Sequence, residues 1–579
     1  MDRVEHTTLG SDVLDDVSVF SSTVGDDLAD KVRVLGTQDD GIHSDDLLDV
    51  TDRFETDIVI GDASAELDDA SEPDDVSVFA SPDADALPEK LDVLSDPDDG
   101  MLGDALLDVT ARFETDIAIV HAAPEGAAAL DMAMGDMDMT SDEMDHVDHN
   151  MTEDLVIEDN NAFLMAMGEG SRIEIHAADA SKESWTQLSQ NARAGDTVLS
   201  FTEDTGWEVG DKIAIAASGH DYTEDEERTI IGISSDGKTV TLDKPLEFDH
   251  YGVLETYSNG SETWQVDMRA EVALLTRNVT IQGDENSIFD GFGAHTMVMN
   301  GAEQHISGAE FFRVGQEDIL GRYPIHWHML GDASGQYVTN VSVHNSYQKG
   351  STVHGTSNIL YANNVIFDHV GHGFFMEDGS ETGNVVKYNL VFGSHASNTG
   401  QPIPTDQTDV SSYWIENVSN TFIGNHAAGS EHVGFFIAPA TETGPHGLSE
   451  GMLVPNNAND FYFVGNTASS NEFGVFLDGH IDGETLEHVD GQNFSLDGSL
   501  WFVDTTAYAN SEVGLWSFKG NGSDNYVVIL DAKLADNASN LEVRGDDLLF
   551  LNSVSIGESG NIAADKNLGN IGVKTYRNS

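Results

Sequence analysis

NVSVHNS at 340–346, NVIFDHVGHG at 364–373 and NLVFGS at 389–394 repeat one pattern, an asparagine followed by a short strand of β-branched and aromatic residues. Asn340, Asn364 and Asn389 stand 24 and 25 residues apart, the length of one rung of a parallel β-helix, in which asparagines can ladder at a corner. NVTIQGD at 278–284 carries the same signature upstream. Downstream, HVGFFI, EFGVFL and EVGLWS place Gly434, Gly474 and Gly514 at two equal spacings of 40, with polar excursions between them. Loops thrown from one corner of successive rungs would wall a groove. The expected body is therefore a right-handed parallel β-helix over 256–579. A sandwich of two antiparallel sheets is the competitor, and it does not readily give rung-length repetition.

Residues 153–255 read differently. IEI, TVLSF, KIAIAA, RTIIGI and KTVTL are short alternating strands divided by Gly-Asp and Asp-Gly turns, the pattern of a small all-β module. Residues 131–152 form a linker rich in Met, His and Asp, for which copper capture is weighed against simple solvation. Residues 1–130 hold a tandem duplication: DDVSVF recurs at 15 and 74, and LLDVT followed by RFETDI at 47 and 106, with one offset of 59. Such short strands between Asp-rich spacers bury little core, so this acidic arm speaks of recent duplication more than of chemistry.

The 579 residues include 104 acids and 25 bases, a formal charge of −79. That surface repels phosphates and excludes nucleic acid as a partner. The excess is not confined to the arm: residues 1–150 hold 42 acids and 6 bases, leaving 62 and 19 for the rest. A body this acidic suits high salt, where screening relieves self-repulsion. There is no cysteine, so neither disulfides nor thiolate metal sites contribute. No apolar run approaches a transmembrane length, and the N-terminus has no Sec-type signal.

Within the rungs lies YPIHWHMLGD at 323–332. An i, i+2 pair on a strand shares one face, so His326 and His328 can present two imidazoles to one ion or substrate; a hydrogen-bonded polar stack is the competing reading.

Seven ordered blocks around it form a known pattern. GWEVGDKIAIA at 206–216 and LEFDHYG at 246–252 resemble the later part of the eight-glycine domain of cell-surface hyaluronidases, of the cell migration-inducing hyaluronan-binding protein and of fibrocystin-like proteins. MRAEVALLTRNVTIQGD, GRYPIHWHMLGD, STVHGTSNILYANNV, GHGFFMEDGSETGN and PIPTDQTDVSSYWIEN resemble successive blocks of the β-helix that follows it there, so the similarity runs from about 190 to 440. Gly373 stands where animal members often have cysteine. The resemblance implies an extracellular or cell-surface protein and calcium-dependent cleavage of hyaluronan. It also implies the alternative of a non-catalytic glycan-binding or adhesion protein, because the family mixes both.

A uronic-acid polymer approaching so negative a protein needs a local inversion of sign, supplied by a cation or by arginines. Arg269, Arg277 and Arg322 are the candidates for substrate binding, each with a structural ion pair as the competing role. His326, His328, His354 and His372 are expected to line one face, with Glu377, Asp378 and Asp406 as acidic partners in catalysis. For a divalent metal the expected ligands are His326, His328, His354 and Asp378; oxygen donors suit calcium and imidazoles a transition ion. Trp327 and Trp414 could stack on sugar rings, with core packing the equal alternative. Hydrolysis would need two carboxylates, and β-elimination a cation with a His or Tyr base. The partner expected is a polysaccharide, and the chain a monomer.

Overall fold

The computed structural model describes residues 17–19, 163–177, 182–260, 262–397, 405–439, 461–478, 480–481, 488–489, 499–518, 526–544, 548–565, 568, 570 and 572–576. Apart from Val17–Val19, the acidic arm and the 131–152 linker lie outside them, as do most of the polar excursions after Ile437, Leu477 and Phe518.

Three long sheets wind in sequence through the rungs. The first runs from Val279–Gln282 through Ala309–Phe312, Ser342–Ser346, Val365–Val370 and Leu390–His395 to Val554–Ile556. The second holds β1 (His295–Met299), β2 (Ile325–Asp332), β3 (Ser351–Ser357), β4 (Phe374–Met376), β5 (Ser411–Ile415) and β6 (Val433–Ile437), and continues to Val573–Tyr576. The third contains Tyr337–Thr339, Leu360–Ala362 and Val385–Lys387 among others. Neighbouring strands from successive rungs are parallel and in register, for example Ser342 opposite Val365 and Val365 opposite Leu390. This is a parallel β-helix, and the sandwich alternative falls.

Alternation fills the interior. Trp327, Val353, Phe374, Tyr413 and Phe435 from the second sheet meet Tyr361, Phe422 and Phe463 from the third and Phe311, Val343 and Ile366 from the first in one core. Each such side chain, wholly removed from water, is worth roughly 1.5–3 kcal/mol.

One corner is held by the asparagines. The backbone N–H of Asn364 donates to Asn389 Oδ1, that of Asn389 to Asn425 Oδ1 and that of Asn425 to Asn466 Oδ1, over separations of 25, 36 and 41 residues. Their Nδ2 groups donate back to the carbonyls of Val338, Tyr361 and Val386. Because all are buried, these bonds satisfy corner amides that water cannot reach. The expected start of the ladder is one residue off. Asn340 aligns with Asn363, whose Nδ2 donates to its Oδ1, and Val341 occupies the ladder position.

Gly434, Gly474 and Gly514 stack, and none of them has positive φ. A Cβ on Gly434 would sit 2.6 Å from the Gly474 carbonyl oxygen, and one on Gly474 would sit 2.5 Å from that of Gly514, so close approach excludes any side chain.

The small module is a six-stranded antiparallel sheet closed by Glu271–Leu274, with its own core around Leu199, Trp207, Ile213 and Val240. Strand pairing crosses the sequence boundary at 255, and Phe163–Met167 and Arg172–His176 pair with the β-helix as first strands of the second and third sheets. Ala214, Ala216, Ala273 and Leu275 of the module pack on Val365, Phe367, Leu390 and Phe392, the outward residues of the first sheet. The outward face of the second sheet lies elsewhere, and it carries the polar cluster.

Candidate functional site

Because Trp327 points into the core, strand parity turns His326 and His328 outward on β2. The parallel register then sets His328 opposite His354 on β3 and His326 opposite Thr352. One residue past β4, the Glu377 N–H still donates to the Val353 carbonyl, which brings Glu377 beside His354. A bulge between His328 and Gly331, with Met329 at φ 51°, bends β2 just beyond the second histidine.

The three imidazoles converge, with one ring nitrogen from each lying within 4.8 Å of the others. His328 Nδ1 is 3.1 Å from His354 Nδ1. Glu377 Oε2 lies 3.5 Å from His354 Nδ1 and 3.9 Å from His326 Nε2. Its other oxygen accepts from the Tyr323 hydroxyl at 3.3 Å. Behind the cluster, His326 Nδ1 meets the Gly321 carbonyl at 3.1 Å, and His354 Nε2 faces Asp378 Oδ2 at 3.5 Å. Burial, reinforced by the neighbouring His328 and His354, holds His326 well below the ordinary imidazole range, so it is neutral and able to act as a ligand. Burial alone would raise Asp378, but its hydrogen bond and attraction to His354 outweigh that and hold it down to about 2.

Two further carboxylates stand close by. Glu381 Oε1 accepts from the N–H groups of Gly355 and Asp378, and Glu416 Oε1 accepts from Trp414 Nε1 at 2.6 Å. Burial pushes both well above the usual carboxylate range, and Asp378 adds to the effect on each.

Residues 291–475 match the family model described as CEMIP beta-helix. This part of the chain resembles the CEMIP β-helix family. Fibrocystin-L of Mus musculus is 36% identical over 293 residues, which are 44% of this chain and 7% of that protein. A G8 domain-containing protein of Dictyostelium discoideum is 33% identical over 397 residues, 61% of this chain and 33% of that protein. The chain thus spans at most a third of the length of these two relatives. Among solved structures, the catalytic domain of a GH87 α-1,3-glucanase in complex with tetrasaccharides aligns over 68% of this chain and 90% of that chain, at 11% identity and a TM-score of 0.26. A likeness at that level carries no functional weight.

Within the β-helix, His326, His328, His354, Glu377 and Asp378 come together as expected, with one exchange of roles: Glu377, not Asp378, faces the shared centre, while Asp378 backs His354. His372 and Asp406 belong to a separate buried network. Lys349 Nζ bonds both Asp406 oxygens at 2.6 Å, and His372 is hydrogen-bonded to Ser411 and Thr405. His372 thus stacks on Phe375 and Trp414, outward residues of the same sheet, but is not one of the three converging imidazoles.

The expected sugar platforms are filled with protein. Trp327 is a core residue bonded through Nε1 to Gln336, and Trp414 is stacked between His372 and Phe436 at centroid distances of 4.3 and 4.5 Å. Arg269 clamps Asp267 within the module, and Arg277 binds the carbonyls of Asn340, Leu274 and Thr276; both are structural. Arg322 stays nearer, with Nη1 3.4 Å from His295 Nε2 on the adjacent β1.

Glu381, Glu416, Tyr323 and Thr352 were not singled out from sequence. Parity offered a signal for one of them: Glu416 is two residues from Trp414, on the same outward row.

Proposed function

We propose that the β-helix is the working domain of a carbohydrate-active protein outside the cell, a cation-assisted depolymerase of a polysaccharide that contains uronic acid. The observation that carries this reading is the convergence of three imidazoles and Glu377 on the outward face of the second sheet, in an otherwise acidic molecule. A cation there supplies the local positive charge that a polyanionic chain requires. It would also polarise the uronate carboxyl or the scissile oxygen, while a neighbouring group with a free proton-accepting position takes or gives the proton. The resemblance of the surrounding blocks to cell-surface hyaluronidases supports the substrate class. No helix among the described residues is long and apolar enough to cross a membrane.

The test is an assay of the full chain on a panel of acidic and neutral polysaccharides, reading both reducing-end release and the ultraviolet absorbance of unsaturated uronate, with and without chelator. Release from a uronate polymer that chelator abolishes is the expected result. Equal inertness toward every polymer, with or without added divalent ions, would sink the proposal.

A further inference from the structure

We infer that His326 Nε2, His328 Nδ1, His354 Nδ1 and Glu377 Oε2 bind one first-row transition-metal dication, and that Asp378 and the Gly321 carbonyl are positioning groups that fix the tautomers of two of the histidines. The inference concerns the same site as the proposed function but does not depend on the substrate.

The lone pairs come first. A carbonyl oxygen can only accept, so the His326 nitrogen 3.1 Å from Gly321 carries the proton and Nε2 presents its lone pair to the centre. Asp378 does the same for His354: the carboxylate facing Nε2 draws the proton there and leaves the lone pair on Nδ1. His326 Nε2, Glu377 Oε2 and Thr352 Oγ1 are buried polar atoms without a hydrogen-bond partner among the described residues. Buried groups of this kind are costly unless something satisfies them.

Spacing agrees. Two metal–nitrogen bonds of about 2.1 Å, meeting at the tetrahedral angle of about 109°, hold their nitrogens about 3.4 Å apart. His328 and His354 stand close to that, at 3.1 Å. The widest separation in the trio, up to 4.8 Å, needs a closing of about 1.4 Å to reach the same geometry, within the reach of a ring rotation.

Charge agrees as well. Glu377 and Asp378 are both buried here, and the buried lysine in this region, Lys349, is already held by Asp406. An added dication offsets charge that the protein leaves uncompensated.

The donor set selects the ion. Calcium takes six to eight oxygens, whereas three imidazoles with one carboxylate suit zinc, manganese, cobalt or iron. The competing arrangement is an N–H···N hydrogen bond between His328 and His354 with no ion at all.

The experiment uses the full chain, stripped with chelator and titrated separately with Zn²⁺, Co²⁺, Mn²⁺ and Ca²⁺. Metal content is read by mass spectrometry and the cobalt form by its visible absorption. One equivalent of Zn²⁺ or Co²⁺ per chain, not displaced by a hundredfold excess of Ca²⁺, is the expected result. His354→Ala and Glu377→Gln should weaken Co²⁺ binding by about 100-fold or more, and Asp378→Asn by about 10–100-fold with the cobalt spectrum retained, as for groups that orient a ligand from behind. Because His354→Ala could disturb folding, the unmodified cobalt protein gives a second reading: one exchangeable, paramagnetically shifted imidazole N–H signal from each of the three histidines.

Failure to bind either Zn²⁺ or Co²⁺, displacement by Ca²⁺, or fewer than three such signals overturns the inference. Unchanged affinity in Glu377→Gln overturns the choice of carboxylate. Inert polysaccharide assays alongside stoichiometric metal would remove only the functional reading. Turnover undiminished in the metal-free protein would remove only the metal.

Discussion

Two buried polar clusters sit on neighbouring rungs of the second sheet, and they differ in how completely they are satisfied. Around His372, both ring nitrogens, the Lys349 ammonium and both Asp406 oxygens have partners within 3.2 Å. Around His354, His326 Nε2 and Glu377 Oε2 have no hydrogen-bond partner among the described residues. Both clusters contain histidine beside a carboxylate, and both are removed from water. A satisfied network gains its energy in the folded protein alone. An unsatisfied one stores a cost that only a ligand relieves. On the proposed reading, the comparison separates a histidine whose neighbours satisfy it from histidines left for a ligand.

The comparison breaks most visibly in turnover. His328→Ala removes a partly exposed ligand, and activity on the responsive polysaccharide should fall at least 100-fold, while chelator-treated mutant and wild type unfold at similar denaturant concentrations. Equal turnover in the two proteins would place the functional cluster elsewhere.

The structural cluster should respond the other way. Lys349→Ala strands Asp406 as an unpaired buried carboxylate, a change that costs about 3–5 kcal/mol. Denaturant unfolding should report that loss, whereas Zn²⁺ stoichiometry of the fraction that remains folded should not change. A mild stability effect with loss of metal would reverse the roles of the two clusters.

How much of this contrast was legible in the sequence depends on range. The asparagine step revealed the rungs, because a ladder needs the same side chain at the same corner. Its first member was misaligned because the doubled Asn363–Asn364 fits Asn340 in either of two registers, and only pairing chooses between them. The inward direction of Trp327 was implicit in the outward pairing of its neighbours His326 and His328. His372 looked like a fourth member of the site because its hydrogen-bond partners, Thr405 and Ser411, lie 33 and 39 residues further on and meet it only through the fold. The exchange between Glu377 and Asp378 could not be read at all, since adjacent residues beyond a strand end do not keep strand parity.

Acidity sharpens the comparison through Glu381. Burial, then the charge of Asp378, raises its carboxyl well above the ordinary value of 4.5. Between those two values the folded, metal-free protein retains a proton that the unfolded chain releases. Stability therefore falls as pH rises through that window, by up to about 1.4 kcal/mol per unit. Glu381→Gln keeps the acceptor for Gly355 and has no proton to lose. The metal-free variant should gain on the wild type as pH rises from 4.5 to 7, as measured by unfolding at fixed pH. Parallel curves would mean that Glu381 ionises without penalty.

Salt produces the smallest and most general effect, and it distinguishes screening from binding. With a formal charge of −79, the chain repels itself over distances that shrink from about 10 Å at 0.1 M salt to about 3 Å at 1 M. Sodium chloride should accordingly raise the melting temperature gradually, and by the same few degrees in wild type and His354→Ala, because screening is indifferent to one imidazole. A transition-metal ion should act differently: its effect should saturate, reach about 2.7 kcal/mol at a hundredfold excess over Kd, and vanish in the variant. Coincident metal responses in the two proteins would show that divalent ions merely screen the surface, and the distinction between the clusters would lose its functional half. A melting temperature that is flat or falling from low to molar salt would instead show that the acidic surface is compensated by pairing, leaving that distinction intact and removing the expectation of adaptation to salt.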